Sequence, residues 1–539
     1  MRKTKKILSL LLAALMVFGL FAVPALAATQ NTASSFTVKE EISHKFYQIV
    51  DKLIFVLGKV LNTLIPGLNW AGKIPALRNY SPENFYPGKN TFDGTPAEGA
   101  KWKMGFAAAS FLTDIDPMDG SYYMVGTLEA LHGRVPTEVL DDQGVNTFAL
   151  SDGTTTAVFA SIDGYGLTRG DVLEIRSRLA DFAEANQIDS INVSALHQHS
   201  LIDTLGLGAP LVPAILKNPL MTLVNEDKLV AGKNKVFMEA LYSAVTATVM
   251  EAVENMTEGA LYYGSVDVGE YIRDKRDPQV FDPDFQRLRF VPDDESANEI
   301  WVAETGIHCV SLGAGPTELT ADFPHYIEQY VKETYGADFV FFEGSELAIS
   351  SRFDSIAYDE AGGEKARLQA IGVTLGEKLA GIENETALAP LLNLALREVR
   401  IKVENPIHTL AGREGLLGSV FLRDGLGYTL VTELGYMELG GKLGVALVPG
   451  EIEPAILWGG ATEAADSWQG KSWDYAPWAE TCGAEKLICF GLCNDQIGYI
   501  LCENDFRSML TENEEINAVS PASGTILTQA FEALIGEVK

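Results

Sequence analysis

Along this chain the spacing of apolar positions switches repeatedly between the two-residue period of a strand and the longer period of a helix. Residues 146–150 and 156–162 alternate as strands, and residues 171–182 then place Val172, Ile175, Leu179 and Phe182 on one helical side. A buried strand is expected at 191–195, where Ile191, Val193 and Ala195 share one face, followed by a helix over 236–253. Strand patterns return at 299–310, 338–343, 397–403, 428–437, 445–448 and 486–492, with a helix over 364–379. Such a succession predicts an α/β fold of mixed β-sheets with flanking helices, in one large domain spanning residues 100–539. No internal repeat or low-complexity tract interrupts it.

The first hundred residues follow different rules. Arg2, Lys3, Lys5 and Lys6 precede an apolar run over 7–26 that closes in Ala25-Leu26-Ala27. That order matches a secretory signal peptide over residues 1–27, cleaved after Ala27, and implies a secreted, extracellular product. Residues 28–99 read as an N-terminal helical extension and linker. Within it, residues 46–65 are helical by pattern, with Ile49, Leu53, Val56, Leu57, Val60 and Leu64 on a stripe, and Lys52 and Lys59 interrupting it. A docking helix or a surface attachment to a membrane both fit it. Residues 80–99 are rich in Pro, Gly, Asn and Asp, as a linker would be. No later stretch reads as a transmembrane span of the mature chain.

Composition narrows the partners. The net charge of −32 becomes more negative once the basic leader is removed, and such a field repels nucleic acid and anionic headgroups. Five cysteines in 539 residues are too few to carry the stability of a secreted chain. Cys482, Cys489, Cys493 and Cys502 cluster near the end. A strand running on to Cys493 would hold Cys489 and Cys493 about 13 Å apart, too far for a disulfide or a shared ion, so core thiols are expected. Cys309, beside His308, should face the opposite side of its strand.

Two of the seven histidines stand together in residues 191–204, INVSALHQHSLIDT. On a continued strand His197 and His199 would project from one face, Cα atoms about 6.5 Å apart. They could share a zinc ion, divide metal binding and proton transfer between them, or merely be polar residues at a strand end. Position favours a site, because ligands collect at the carboxyl ends of strands in α/β sheets, and Asp163 ends the preceding strand. Residues 201–223 are apolar and broken by Gly206, Gly208, Pro210 and Pro213, which suits a pocket wall or simple core. Pro449-Gly450-Glu451 puts a carboxylate at another strand end, and Tyr499 closes a polar run after a third.

Taken in order, His197-Gln198-His199-Ser200, the strand carrying His308, Val448-Pro449-Gly450-Glu451, and Gly491-Leu492-Cys493-Asn494 with Tyr499 resemble the neutral/alkaline, non-lysosomal ceramidase family over residues 104–518. That resemblance implies a zinc amidase with His197, His308, Glu451 and Tyr499 on the metal, His199 catalytic, and Arg273 holding the reacting end of the substrate. A zinc-bound water of pKa about 7 could attack an amide carbonyl while His199 carries the proton to the leaving amine. The implied substrate is a ceramide-like or other lipid-like N-acylated molecule. The chain departs from the family at Asn513, where a tyrosine precedes the glutamate, and at Leu347-Ala348, where Gly-Asp is usual. It also stops without the C-terminal immunoglobulin-like domain. A metallo-β-lactamase-like hydrolase would need Asp-His directly after the His-x-His, and Ser200-Leu201-Ile202-Asp203 intervenes. The alternative outside enzymes is a secreted binding or surface protein that kept the fold and lost catalysis.

Overall fold

Nine strands pair into the largest sheet in the computed structural model, which describes residues 46–47, 49–53, 56, 74–126, 132–210, 232–413, 417–425, 427–508 and 514–539. The expected leader over 1–27, most of the helix over 46–65, the later part of the 201–223 stretch, and Asn513 lie outside the described residues. The strands are β1 (Trp102–Ser110), β2 (Gly144–Ser151), β3 (Thr156–Ile162), β4 (Ser190–Ala195), β5 (Thr257–Asp267), β6 (Asp284–Pro292), β7 (Ile300–Thr305), β8 (Asp338–Glu343) and β9 (Thr386–Leu388). Their order is β8-β7-β6-β5-β1-β2-β3-β4, with β9 beside β5. Only β3 with β4 and β7 with β8 run parallel.

A second sheet contains β10 (Leu392–Lys402), β11 (Val420–Asp424), β12 (Gly427–Leu439), β13 (Leu443–Leu447) and β14 (Lys486–Phe490), in the order β10-β12-β13-β14 with β11 beside β12. Here β13 and β14 are the parallel pair. The two sheets face each other. Alternation along β8 shows how: Val340 and Phe342 enter the core between sheets, where Phe342 stacks on Phe490 at 3.9 Å, while Phe339 and Phe341 enter the outer core. Strands covered on both faces should be apolar throughout. β4 and β7 are buried at every position.

Helices close both outer faces. Beside β1 and β2 lies α2 (Lys235–Glu254), whose Asn234 side chain accepts the Val236 and Phe237 amides and whose Phe237, Leu241, Val245 and Val249 face inward. Among the described residues it is the helix long and apolar enough to cross a membrane, and that apolar stripe is spent on the core. α3 (Asp322–Tyr335) and α4 (Gly363–Ala380) cover the β7–β8 side, and α5 (Ser523–Val538) covers the second sheet. The result is one mixed α/β domain, as the patterning predicts.

The first helix in this series, α1 (Arg169–Arg178), ties the sheets together. A capping box between Thr168 and Asp171 starts it. Arg169 and Arg176 are fully buried and both reach Glu433 on β12; Arg176 holds it with two hydrogen bonds, at 2.5 and 3.0 Å. Burial works to raise the Glu433 pKa, but the Arg176 and Arg169 guanidiniums outweigh it and hold the carboxyl below its usual value. All five cysteines are free and buried, as expected for core thiols. Of the apolar stretch, Leu201, Ile202 and Leu205 are core.

Two strand ends differ from the expectation. β4 stops at Ala195 and β7 at Thr305, so His197, His199 and His308 belong to the turns that follow. The reason is the backbone: His197 is left-handed at φ 51°, which no strand can accommodate. Glu433→Ala leaves two buried guanidiniums without their shared carboxylate and should cost about 3–5 kcal/mol in a urea or guanidinium titration. A loss under about 1 kcal/mol would be incompatible with the burial of this network.

Candidate metal centre

Three parallel strand pairs, β3/β4, β7/β8 and β13/β14, end at one place. Past these ends the chain turns abruptly, with left-handed backbone at His197, Ala348, Leu492 and Asn494. Each costs conformational energy in an L-residue, and such strain concentrates at functional sites. The turn before Glu451 depends on Gly450, where a Cβ would meet the Gly498 carbonyl at 2.5 Å. Residues Glu451–Ile452 then pair in parallel with Tyr499–Ile500, which places Glu451 opposite Tyr499.

The three imidazoles are oriented alike. Nδ1 of His197 lies 2.7 Å from the Tyr165 carbonyl, Nδ1 of His199 2.8 Å from that of Gly126, and Nδ1 of His308 3.2 Å from that of Ile349. A carbonyl only accepts, so each proton sits on Nδ1 and each Nε2 keeps its lone pair. Those lone pairs converge: Nε2 of His199 and His308 are 2.9 Å apart, and Nε2 of His197 is 3.3 Å from Glu451 Oε1. Tyr165 stacks on His197 at 4.2 Å between ring centroids. Burial holds all three imidazoles below their ordinary pKa, His199 at about 4, so they are neutral near pH 7, as ligands must be.

Carboxylates complete the cluster. Gln496 Nε2 donates to Glu451 Oε1 at 3.0 Å, and Oε2 has no hydrogen-bond partner. Glu346 is fully buried with neither oxygen hydrogen-bonded. Glu343 accepts the Cys309 thiol at 3.0 Å. Burial pushes the carboxyls up, Glu451 to about 8. Ligand atoms of His197, His199 and His308 lie within 4.8 Å of one another, as do those of His197, Glu346 and Glu451. Convergent imidazole lone pairs beside buried carboxylates that lack a donor form an N/O set suited to a divalent ion such as Zn²⁺. The residues present fit the metal.

Sequence expectations and geometry can now be compared residue by residue. His197, His199, His308 and Glu451 come together, and the Tyr499 hydroxyl faces Glu451. Asp163 instead supports the turn, accepting Gly144 N–H at 2.9 Å and Gln198 Nε2 at 2.7 Å. Arg273 sits on the short strand Ile272–Asp274 with its side chain exposed. Burial is the dominant cause of the shifts at His199, His308, Glu346 and Glu451; the charge of Lys275, two residues past Arg273, also acts on all four, and that of Arg134 acts on His199 ahead of it. Sequence reasoning missed Lys275, Tyr165 and Glu346. Glu346 had a signal, since it follows β8 by three residues in Glu343-Gly344-Ser345-Glu346.

No protein-family model matches the sequence, and no curated protein does. Solved structures do resemble it. The crystal structure of neutral ceramidase from Pseudomonas aeruginosa superposes with a TM-score of 0.57 at 15% identity, over 82% of this chain and 75% of that one. The fold is ceramidase-like. A ceramidase complexed with C2 gives 0.56 at 13% identity, over 81% and 75%.

If the cluster binds zinc, free ion at a thousandfold over its Kd should stabilise the folded chain by about 4 kcal/mol. Calorimetric scans with and without zinc would show a raised Tm for the wild type and little change for His197→Ala. Identical wild-type scans would remove the metal assignment.

Proposed function

We propose that this chain is a secreted zinc-dependent hydrolase that cleaves the N-acyl amide bond of a ceramide-like or other lipid-like N-acylated substrate. The carrying observation is the convergence of three imidazole lone pairs on buried carboxylates at the strand ends of a ceramidase-like fold. The basic and apolar residues over 1–27 support export. His197, His308 and Glu451, with Tyr499 opposite, would hold the ion. When bound, zinc supplies a Lewis acid for the amide carbonyl and lowers the pKa of water.

The chain's own groups handle the rest. His199 keeps its ring fixed through Nδ1–H on the Gly126 carbonyl, which leaves Nε2 free to take a proton and return it to the leaving amine nitrogen. Tyr165 packs edge-on against His199 at 5.0 Å and face-on against His197, limiting both rings to one orientation and excluding water from that side. Lys275, just past the short strand and exposed like Arg273, carries a charge that reaches the cluster and would steady the developing oxyanion. Tyr499 lies opposite Glu451 on the paired strand, which puts its hydroxyl beside that carboxyl and in reach of the same ion.

Zinc-loaded protein offered N-acyl sphingoids and N-acyl amino acids should release free amine, and a chelator should abolish the release. His199→Gln should retain zinc while kcat falls about 10²–10⁴-fold. The depressed His199 pKa means its base form persists as pH drops below the ordinary histidine value, so the acid limb of kcat/KM should lie below pH 6.5. An acid limb at or above that value would contradict the proton-transfer role. Stoichiometric zinc with no turnover across the panel would make the chain a binding protein on the same fold.

A further inference from the structure

We propose that Glu346 is a further protein ligand of the ion, a role that rests on the metal reading above and extends its ligand set beyond His197, His308, Glu451 and Tyr499. Geometry supplies the first reason. Ligand atoms of Glu346, His197 and Glu451 lie within 4.8 Å of one another, close enough to meet on one ion. His197 has a single free nitrogen, since Nδ1 is committed to the Tyr165 carbonyl. One lone pair binds one metal, so the two groupings that share His197 describe one centre.

The second reason is what Glu346 lacks. Its side chain is fully buried, and the polar group against its carboxyl is another buried acid, Glu343, with no amide, hydroxyl or cation donating to either oxygen. A buried acid so placed is disfavoured in its charged form unless a cation joins it. Its neighbour Glu343 differs, because the Cys309 thiol donates to it. The loop gives Glu346 no path to solvent: the Leu347 amide donates to the Ile452 carbonyl, the Ile349 amide to the Glu346 carbonyl at 2.8 Å, and Trp458 Nε1 to Ser345 Oγ at 3.2 Å. The charge also balances. Two carboxylates and neutral imidazoles make a divalent centre neutral overall, which suits a buried site.

A purely positioning role would be to orient His308, whose Nδ1 is 3.7 Å from Glu346 Oε2. That separation exceeds hydrogen-bond reach, and the same nitrogen has the Ile349 carbonyl at 3.2 Å.

Cobalt replacing zinc in the full chain gives a visible spectrum that reports the atoms directly bound to the ion. Wild type and Glu346→Gln should each bind one ion, the variant about 10–100-fold more weakly in competition with a chromophoric chelator. Their cobalt bands should differ in position and intensity. Superimposable bands would place Glu346 outside the coordination sphere and overturn the inference, even with a weakened Kd. A wild type that binds no ion would instead sink the metal reading itself. Should Glu346→Gln fail to fold, a crystal structure of the zinc-loaded wild type decides: a Glu346 oxygen about 2.0–2.2 Å from zinc supports the inference, and one beyond about 3 Å overturns it.

Discussion

Everything at the candidate site depends on how residues 491–494 are held between the two sheets. The Gly491 amide donates to the Glu343 carbonyl at 2.8 Å, the Cys493 amide to Val448 at 2.8 Å, and the Asn494 amide to Val193 at 2.7 Å. The Ala195 amide returns to Leu492, and the Asn494 side chain accepts from the Val193 amide. One short segment thus fixes the ends of β8, β13 and β4 together. Glu346, Glu451 and His197 lie within a few residues of those three ends. The segment can lie so close because a Cβ on Gly491 would meet the Gly344 carbonyl at 2.6 Å, and because Leu492 and Asn494 accept left-handed backbone. Backbone hydrogen bonds, joined by the Asn494 side chain, set the spacing of the ligand atoms.

Electrostatics then separates structural acids from functional ones. Two acids of the scaffold are held by paired guanidiniums: Glu433 by Arg169 and Arg176, and the half-buried Glu385 by Arg287 and Arg289. Glu346 and Glu451 lie equally deep, and no guanidinium or ammonium forms an ion pair with either among the described residues. Buried acids without a cation beside three neutral imidazoles make a place suited to an exogenous positive charge.

Much of this was legible before any coordinates. The period-two runs give β3 and β8 with the bounds that the structure shows, and the 3.6-residue stripes give α2 and α4 to within a residue. The His-x-His motif, His308 and Glu451 were visible because chemistry-bearing residues at strand ends stand out against apolar runs. The strand limits near the site were not legible. Periodicity carried β4 and β7 past Ala195 and Thr305, since side-chain pattern does not report a left-handed φ at His197. Lys275 and Arg273 illustrate the other limit. Both are basic, exposed and two residues apart, and what separates them is that the charge of Lys275 acts on the imidazoles and carboxyls of the cluster, which sequence spacing does not report.

The Leu347-Ala348 departure from the family pattern bears directly on whether the site is damaged or rebuilt. A decayed loop would expose its new apolar residue or leave its backbone unpaired. Leu347 instead is fully buried with Ala348, Leu501, Phe506 and Ala518 in a small core of its own. The Ala348 carbonyl accepts the Lys275 amide at 2.9 Å, so the loop that carries Glu346 also positions the nearby cation. Ala348 holds φ 63°, a conformation that packing must sustain, and the buried Leu347 next to it supplies that packing. An anion and a cation are therefore set beside the imidazoles by one ordered turn. The turn is packed and hydrogen-bonded, and what it presents to the imidazoles is the Glu346 carboxyl.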